Sequence, residues 1–331
     1  MTTVIVTEEE YGKAQAVFTG AADLHCVPSS AEESELARTI RENGAKHAIV
    51  GVVRYQGELY SALPRGGVLA RFGVGHDGID KRKATEAGLL CTNTPGALDF
   101  SVAETTMMLL LASARRLPRI FEAARNGVWT TSAGQELAGK TLAIIGCGRI
   151  GCAVARIAAF GFGMRVTGCE TRLDRVESLR SEVGIQTLTQ DFAEAVSGAD
   201  FVSLHIPANP STAHFMNAER LAVFPRNSWL INTARGSVVD ENALYDALAQ
   251  NRIAGAALDV FEREPYEPAD PSRDLRALPN VILTPHVASN TTEANRRMAE
   301  RALRNISLAE SGNWKAMDLL NPEVLHQEQV S

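Results

Sequence analysis

The 331-residue chain is 45% hydrophobic and 22% charged, with a formal net charge of -6, the profile of an ordinary soluble globular protein long enough for two domains with separate cores. That balance argues against a basic nucleic-acid surface, and it leaves an anionic ligand to be drawn in by a few placed arginines rather than by the overall field. The opening "MTTVIVTEEEYGKA" has no basic segment followed by an apolar one, so no secretory signal is expected, and the apolar stretch around "MMLLLASA" is too short to span a membrane.

In chain order, "TTVIVT" reads as a strand, "AEESELARTIRENG" as a helix and "HAIVGVV" as a second strand. "GVLARFGVGHDGID" repeats the form as a strand, a glycine turn and a polar helix start, and "GLLCTNTPGALDF" adds a further strand before a loop punctuated by Pro95-Gly96. Strands alternating with helices imply a parallel sheet. Ser101 and Glu104 have the spacing of a capping box in front of "TTMMLLLASA". That helix is apolar nearly all round and is expected to lie buried between two bodies.

From Thr141 a second series begins, with strands expected at "TLAIIG", "MRVTGCE", "DFVSLHIP", "SWLINTA", "GAALDV" and "NVILTPH". A helix from about Thr292 carries Met298, Ala302 and Ile306 at four-residue intervals and is expected to return to the first domain, so that the domains interleave. The cysteines Cys26, Cys91, Cys147, Cys152 and Cys169 are odd in number and lack metal-ligand spacing. They fit reduced thiols in a cytoplasm, with no metal expected. Cys147 and Cys152 read as small buried filler near a helix start.

Gly146, Gly148 and Gly151 follow the apolar strand "TLAII" in G-x-G-x-x-G order and precede a helix-like run. In that context the first glycine permits a tight turn, the second lets backbone approach a pyrophosphate and the third lets helix and strand pack closely. The helix N-terminus then offers free N–H groups to phosphate. Glu170 stands nineteen residues after Gly151, where a carboxylate accepts hydrogen bonds from the adenine-ribose hydroxyls. This favours NAD over NADP, since a 2′-phosphate would meet a negative charge. Arg172 partly offsets that preference, and a solvated acid at a strand end is the alternative for Glu170.

Three later segments place Arg235 ("INTARGSVVD"), Asp259 and Glu264 ("AALDVFEREP") and His286 ("NVILTPHVA") after apolar strands. In an open parallel sheet, ligand groups gather at the carboxyl ends of strands. Taken alone, His286 also fits a structural histidine, Asp259 fits a strand-end acid, and His205 reads as structural.

Together "GVGHDGID", "NTPG", "SVAE", the glycine fingerprint, "NTARGSVVD", "LDVFEREP" and "TPH" extend over most of the chain, which resembles the D-isomer-specific 2-hydroxyacid dehydrogenases. The resemblance implies an α/β protein of two interleaved, doubly wound parallel-sheet domains. A Rossmann NAD-binding domain at 102–287 would be inserted into a flavodoxin-like substrate domain formed by 1–101 and 288–331, usually in a homodimer. It implies Arg235, Glu264 and His286 as the catalytic set acting on a small 2-oxo or 2-hydroxy acid. Arg235 would clamp the carboxylate and carbonyl with a planar fork. His286 would exchange the proton, as a side chain that titrates near neutral pH, and Glu264 would fix its tautomer and favour its charged form.

By the same resemblance, Val74 and Gly75 supply backbone donors for the substrate carboxylate, with His76 only lining that loop. Arg149 and Ile150 lie at the pyrophosphate; Pro207, Thr212, Thr233 and Ala234 contact the cofactor, and Asp259 binds its carboxamide. Arg54 and Tyr55, in "GVVRYQGEL", fall where relatives carry specificity residues. If Arg54 points inward it suits a second anion on the substrate, such as phosphate or sulfonate; if outward, it is one more surface arginine. A glyoxylate- or hydroxypyruvate-type acid is the first expectation, and a phosphorylated acid such as 3-phosphoglycerate the second. A function of another class, an NADH-sensing corepressor-like interaction protein, is compatible with the same triad.

Overall fold

The computed structural model describes residues 1–129, 131–174 and 176–329; the last two positions of the expected 288–331 segment lie outside them. The chain divides into two compact units, Met1–Leu98 with Asn290–Ser331, and Asp99–Ser289.

The first unit is built on β1 (Thr2–Thr7), β2 (Leu24–Ser29), β3 (His47–Val50), β4 (Val68–Arg71) and β5 (Leu90–Thr92). They pair in parallel in the order β2-β1-β3-β4-β5, the doubly wound order of flavodoxin-like sheets. The helix Glu33–Glu42 begins where the Glu32 carboxylate accepts the Ser34 and Glu35 amides and packs Leu36 and Ile40 into a core with Ile5, Val50 and Leu69. β3 is shorter than "HAIVGVV" suggests. At Gly51 the chain passes the Glu10 carboxyl so closely that a Cβ would overlap it, and the strand stops one residue earlier. The closing helix Thr292–Glu310, capped by the Thr291 hydroxyl, buries Met298, Ala302 and Ile306, the face that the four-residue spacing marks.

The second unit holds β6 (Thr141–Ile145), β7 (Arg165–Cys169), β8 (Ile185–Thr189), β9 (Phe201–Leu204), β10 (Trp229–Asn232), β11 (Gly255–Leu258) and β12 (Val281–Leu283). The order is β12-β11-β10-β9-β6-β7-β8, all parallel. Counted within the unit, this is the Rossmann order extended by one strand. Along β6, Leu142 and Ile144 enter one core while Ala143 and Ile145 enter another. Burial of alternate residues on opposite faces is why the central strands read as continuous apolar runs.

Two expectations need correcting. The helix Asp99–Ala114 starts two residues before Ser101, which lies inside its first turn, so Ser101 and Glu104 do not form a capping box. Asp99 instead puts an acid in that turn, where the helix dipole favours negative charge. Nor is this helix buried all round: it packs on the helix Arg149–Arg156 and on β10 and β11, but Phe100 and Met108 remain 60% and 50% exposed. The apolar runs also miss β2 and β8, one edge of each sheet, although they mark β5 and β12 at the opposite edges. Edge strands keep polar residues where one side meets water, and β2 tolerates Pro28 because an edge need not donate every ladder hydrogen bond. Among the described residues, no helix is long and apolar enough to cross a membrane.

Candidate active site

The expected residues of the second unit lie at one end of its strands. Gly146 follows β6, Glu170 follows β7, His205 and Pro207 follow β9, Thr233 to Arg235 follow β10, Asp259 follows β11 and His286 follows β12. Because the strands are parallel, all of these are carboxyl ends.

The glycine turn has distinct reasons for each glycine. Gly146 has φ of 96°, and a Cβ there would lie 2.7 Å from the His205 carbonyl oxygen. A Cβ on Gly151 would overlap the Gly146 carbonyl oxygen, so the helix Arg149–Arg156 can approach the strand only with hydrogen at this position. At Gly148, the N-cap of that helix, a Cβ would meet no described atom within 4 Å. The protein's own packing does not need that glycine; a phosphate approaching the free helical amides does. Glu170 folds over the same turn, Oε2 accepting the Cys147 amide at 3.1 Å and Oε1 the Thr171 amide at 2.8 Å. Burial raises its carboxyl, but the hydrogen bonds from Thr171, Arg172 and Cys147 outweigh this and hold it below the usual range. An acceptor therefore lies at the strand end where a ribose would sit. These features fit a dinucleotide. Arg149 is exposed and pairs with Asp99 at 2.6 Å, Ile150 is partly buried, and Thr212 closes its loop through a 2.6 Å bond to the Pro207 carbonyl.

His286 Nδ1 lies 2.6 Å from Glu264 Oε2, with both side chains about one-third exposed, at 29% and 31%. The other oxygen of Glu264 accepts the Phe261 amide at 3.0 Å. Burial pushes the Glu264 carboxyl up, but the bond to His286, that residue's charge, the Phe261 amide and the Arg235 guanidinium together hold it below its ordinary value. The His286 backbone is left-handed, with φ of 52°, and Asp259 holds the turn in place. The Asp259 carbonyl accepts the His286 amide at 2.8 Å. Its buried carboxylate accepts the Thr284 hydroxyl at 2.6 Å and the Val287 and Ala288 amides at 3.0 and 2.8 Å. Arg235 follows a second braced turn: fully buried Asn232 accepts the Ala234 amide at 3.0 Å and donates to the Arg235 carbonyl at 2.9 Å. The Thr233 hydroxyl meets that of Thr106 at 2.9 Å. His205 is neutral, since burial pushes it down to about 4, and Nε2 pairs with the Ser203 hydroxyl at 2.9 Å.

In the first unit, Val74 and Gly75 lie in the turn after β4. Asn93 donates to the Val74 carbonyl at 2.7 Å, and Thr94 donates its amide to the Gly73 carbonyl at 3.0 Å. Arg54 is exposed on the loop after β3, whereas Tyr55 is 4% exposed and its ring lies in the unit's core. Glu33 fixes this loop by accepting the Gln56 and Gly57 amides at 2.6 and 2.8 Å. The braces Asn93, Asn232 and Glu33 were missed in the sequence. A polar residue ending an apolar run, as in "LINTA" and "LCTNT", was the available signal for the two asparagines.

Residues 107–288 match the family model for the D-isomer specific 2-hydroxyacid dehydrogenase, NAD binding domain. A glyoxylate reductase of Korarchaeum cryptofilum is 40% identical over 279 residues, 82% of this chain and 80% of that protein. The crystal structure of an NADPH-dependent glyoxylate/hydroxypyruvate reductase from Sinorhizobium meliloti, in complex with NADP and malonate, aligns with a TM-score of 0.79 at 30% identity, covering 94% of each chain. A D-lactate dehydrogenase from Aquifex aeolicus, complexed with NAD and lactic acid, aligns with a TM-score of 0.81 at 27% identity, covering 96% of this chain and 99% of the other. The chain therefore belongs to the D-isomer-specific 2-hydroxyacid dehydrogenases, oxidoreductases that interconvert 2-oxo and 2-hydroxy acids with a nicotinamide cofactor.

Proposed function

We propose that this protein reduces a small 2-oxo acid of the glyoxylate or hydroxypyruvate type to its D-2-hydroxy acid, with NADH preferred over NADPH. The observation that carries the proposal is the 2.6 Å pair of His286 and Glu264, on the unit that carries the glycine turn. Glu264 accepts the Nδ1 proton of His286, which leaves Nε2 to give a proton to the substrate carbonyl oxygen in reduction and to take it back in oxidation. Arg235 holds the substrate carboxylate and polarises the carbonyl with its planar fork. The nicotinamide supplies the hydride when bound.

Gly146, Gly148, Arg149, Ile150 and Gly151 are assigned to the pyrophosphate, with Pro207, Thr212, Thr233 and Ala234 also in the cofactor site. Glu170 is assigned to the ribose hydroxyls and is the basis of the NADH preference. Asp259 accepts three hydrogen bonds on its carboxylate, and an ionised carboxylate offers about four acceptor positions; the remaining one suits the amide of the carboxamide. The first unit is assigned to substrate, through the backbone of Val74 and Gly75, with Arg54 as its exposed cation and Tyr55 anchoring the loop from the core. A homodimer in the cytoplasm is part of this reading. Its support is the exposed apolar surface of the second unit, where Phe100, Met108, Leu117, Phe121, Trp129 and Phe160 are each at least half exposed. A monomeric mass by light scattering would remove the dimer.

A panel of 2-oxo acids run with NADH and with NADPH tests the activity. Glyoxylate and hydroxypyruvate turnover at higher kcat/KM with NADH is expected; no turnover of either acid would overturn the substrate assignment. Arg54 is exposed on the loop after β3, which by itself fits a surface arginine; the competing reading is a substrate that carries a distal phosphate or sulfonate. In that case Arg54→Ala impairs phosphorylated acids about tenfold more than glyoxylate, and equal effects on both would reject it.

A further inference from the structure

Glu241, the first residue of the helix Glu241–Ala249, is 7% exposed. Its Oε1 accepts the Glu262 backbone N–H at 2.7 Å, and Glu262 Oε1 accepts the Glu241 backbone N–H at 3.2 Å. Two residues 21 positions apart thus exchange backbone-to-carboxyl hydrogen bonds. The contact satisfies one amide at the helix start, where partners are otherwise lacking and negative charge is favoured. Glu262 also meets His214 Nε2 at 3.0 Å. The other oxygen of Glu241, Oε2, is buried without a hydrogen-bond partner among the described residues.

The clamp lies between the two segments assigned to catalysis. Glu262 is two residues before Glu264, in the turn where the Phe261 amide reaches the Glu264 carboxylate. From the other side, Gly236, which follows Arg235, packs so tightly on Phe261 and Glu262 that a Cβ would overlap their backbone. Glu241 itself continues from the Arg235 segment, five residues on from Gly236.

We propose that Glu241 is a positioning residue, whose buried carboxyl holds the Glu262 peptide and through it the turn that presents Glu264 to His286. The proposal rests on the assignment of Glu264 and His286 to proton transfer. The groups facing Glu241 are Glu262, Glu264, His214 and Tyr266. Burial first, then the charges of Glu262 and Glu264, raise the Glu241 carboxyl to about 7, against the Glu262 amide and His214. Raised into this range, the carboxyl changes charge near neutral pH, and its ionisation adds a negative charge beside Glu262 and Glu264. The charge state of Glu241 then enters the pH dependence of turnover.

The test compares the whole protein with Glu241→Gln and Glu241→Ala by amide hydrogen exchange and by kcat and KM from about pH 5.5 to 9. In Glu241→Ala the Glu262 amide is expected to lose protection and kcat to fall about tenfold, with KM for NADH changed less than about twofold. Glu241→Gln keeps an acceptor for that amide, so it should retain kcat at acidic pH and lack an inflection near pH 7 that is expected in the wild-type profile. A protected Glu262 amide or wild-type kcat in Glu241→Ala, or the same profile in Glu241→Gln as in wild type, would overturn the proposal. Should the alanine variant fail to fold, the glutamine profile decides. If the wild type turns over no 2-oxo acid, the functional assignment falls, while exchange at Glu262 still decides whether the clamp exists.

Discussion

His286 occupies a left-handed backbone conformation, φ 52°, which a non-glycine residue adopts at a cost and which persists only where neighbours enforce it. Asp259 supplies that enforcement through its carbonyl and both carboxylate oxygens. From this turn, beyond the end of β12, the imidazole Nδ1 meets Glu264 Oε2 at 2.6 Å. The resulting prediction is specific to the side chain. His286→Ala is expected to lower kcat by about 10²- to 10⁴-fold, the usual weight of a positioned acid or base, while the Kd for NADH stays within about twofold. Stopped-flow turnover and fluorescence titration of NADH measure the two separately. Unchanged turnover would remove His286 from proton transfer.

The carboxyl ends of β10, β11 and β12 act as one element, because their turns lean on each other. Asn232 shapes the turn of Arg235, Gly236 admits the Phe261 backbone, and Asp259 holds the turn of His286. Gly236 has no positive φ and is needed for space alone. Gly236→Ala should therefore separate the Arg235 and Glu264 segments. Overpacking of this kind costs about 1–3 kcal/mol, visible as a lower urea midpoint, and kcat should fall with it. An alanine variant with wild-type midpoint and kcat would show that the segments need no close approach. The strands behind these turns were legible in the sequence as apolar runs, including β12 at the sheet edge; β2 and β8 were not, because polar residues interrupt their runs, LHCVPS and IQTLT. The ends of strands also escaped pattern reading: β3 stops at Val50, and Gly51 just beyond it lies against Glu10, a residue from another part of the chain.

At the scale of the molecule, buried titratable groups set how stability depends on pH. Burial lowers His47 and His205 to about 4 each, whereas in the unfolded chain a histidine titrates near 6.5. Between those values the unfolded state binds more protons, so stability rises with pH toward about 6.5. Glu241 has the opposite sign. Raised to about 7, it holds a proton in the native state that the unfolded chain has released above about 4.3, so it costs stability as pH rises from there to about 7, by up to about 4 kcal/mol. Glu241→Gln should therefore gain stability relative to wild type between pH 5 and 8, and equal changes in the two urea midpoints would refute it. The sequence by itself determined the alternation of strands and helices and the glycine turn, because apolar periodicity and glycine spacing are local properties; its motifs taken together carried the resemblance to the family. Resemblance to that family singled out Arg235, Glu264 and His286. Only the tertiary structure revealed what holds them. Asp259 beneath His286 and Glu241 against Glu262 make contacts that depend on which strand ends and loops become neighbours, and a buried hydrogen bond between residues 21 or more positions apart leaves no period in the sequence; Asn232 behind Arg235 is a contact within one turn, whose geometry residue order alone does not show.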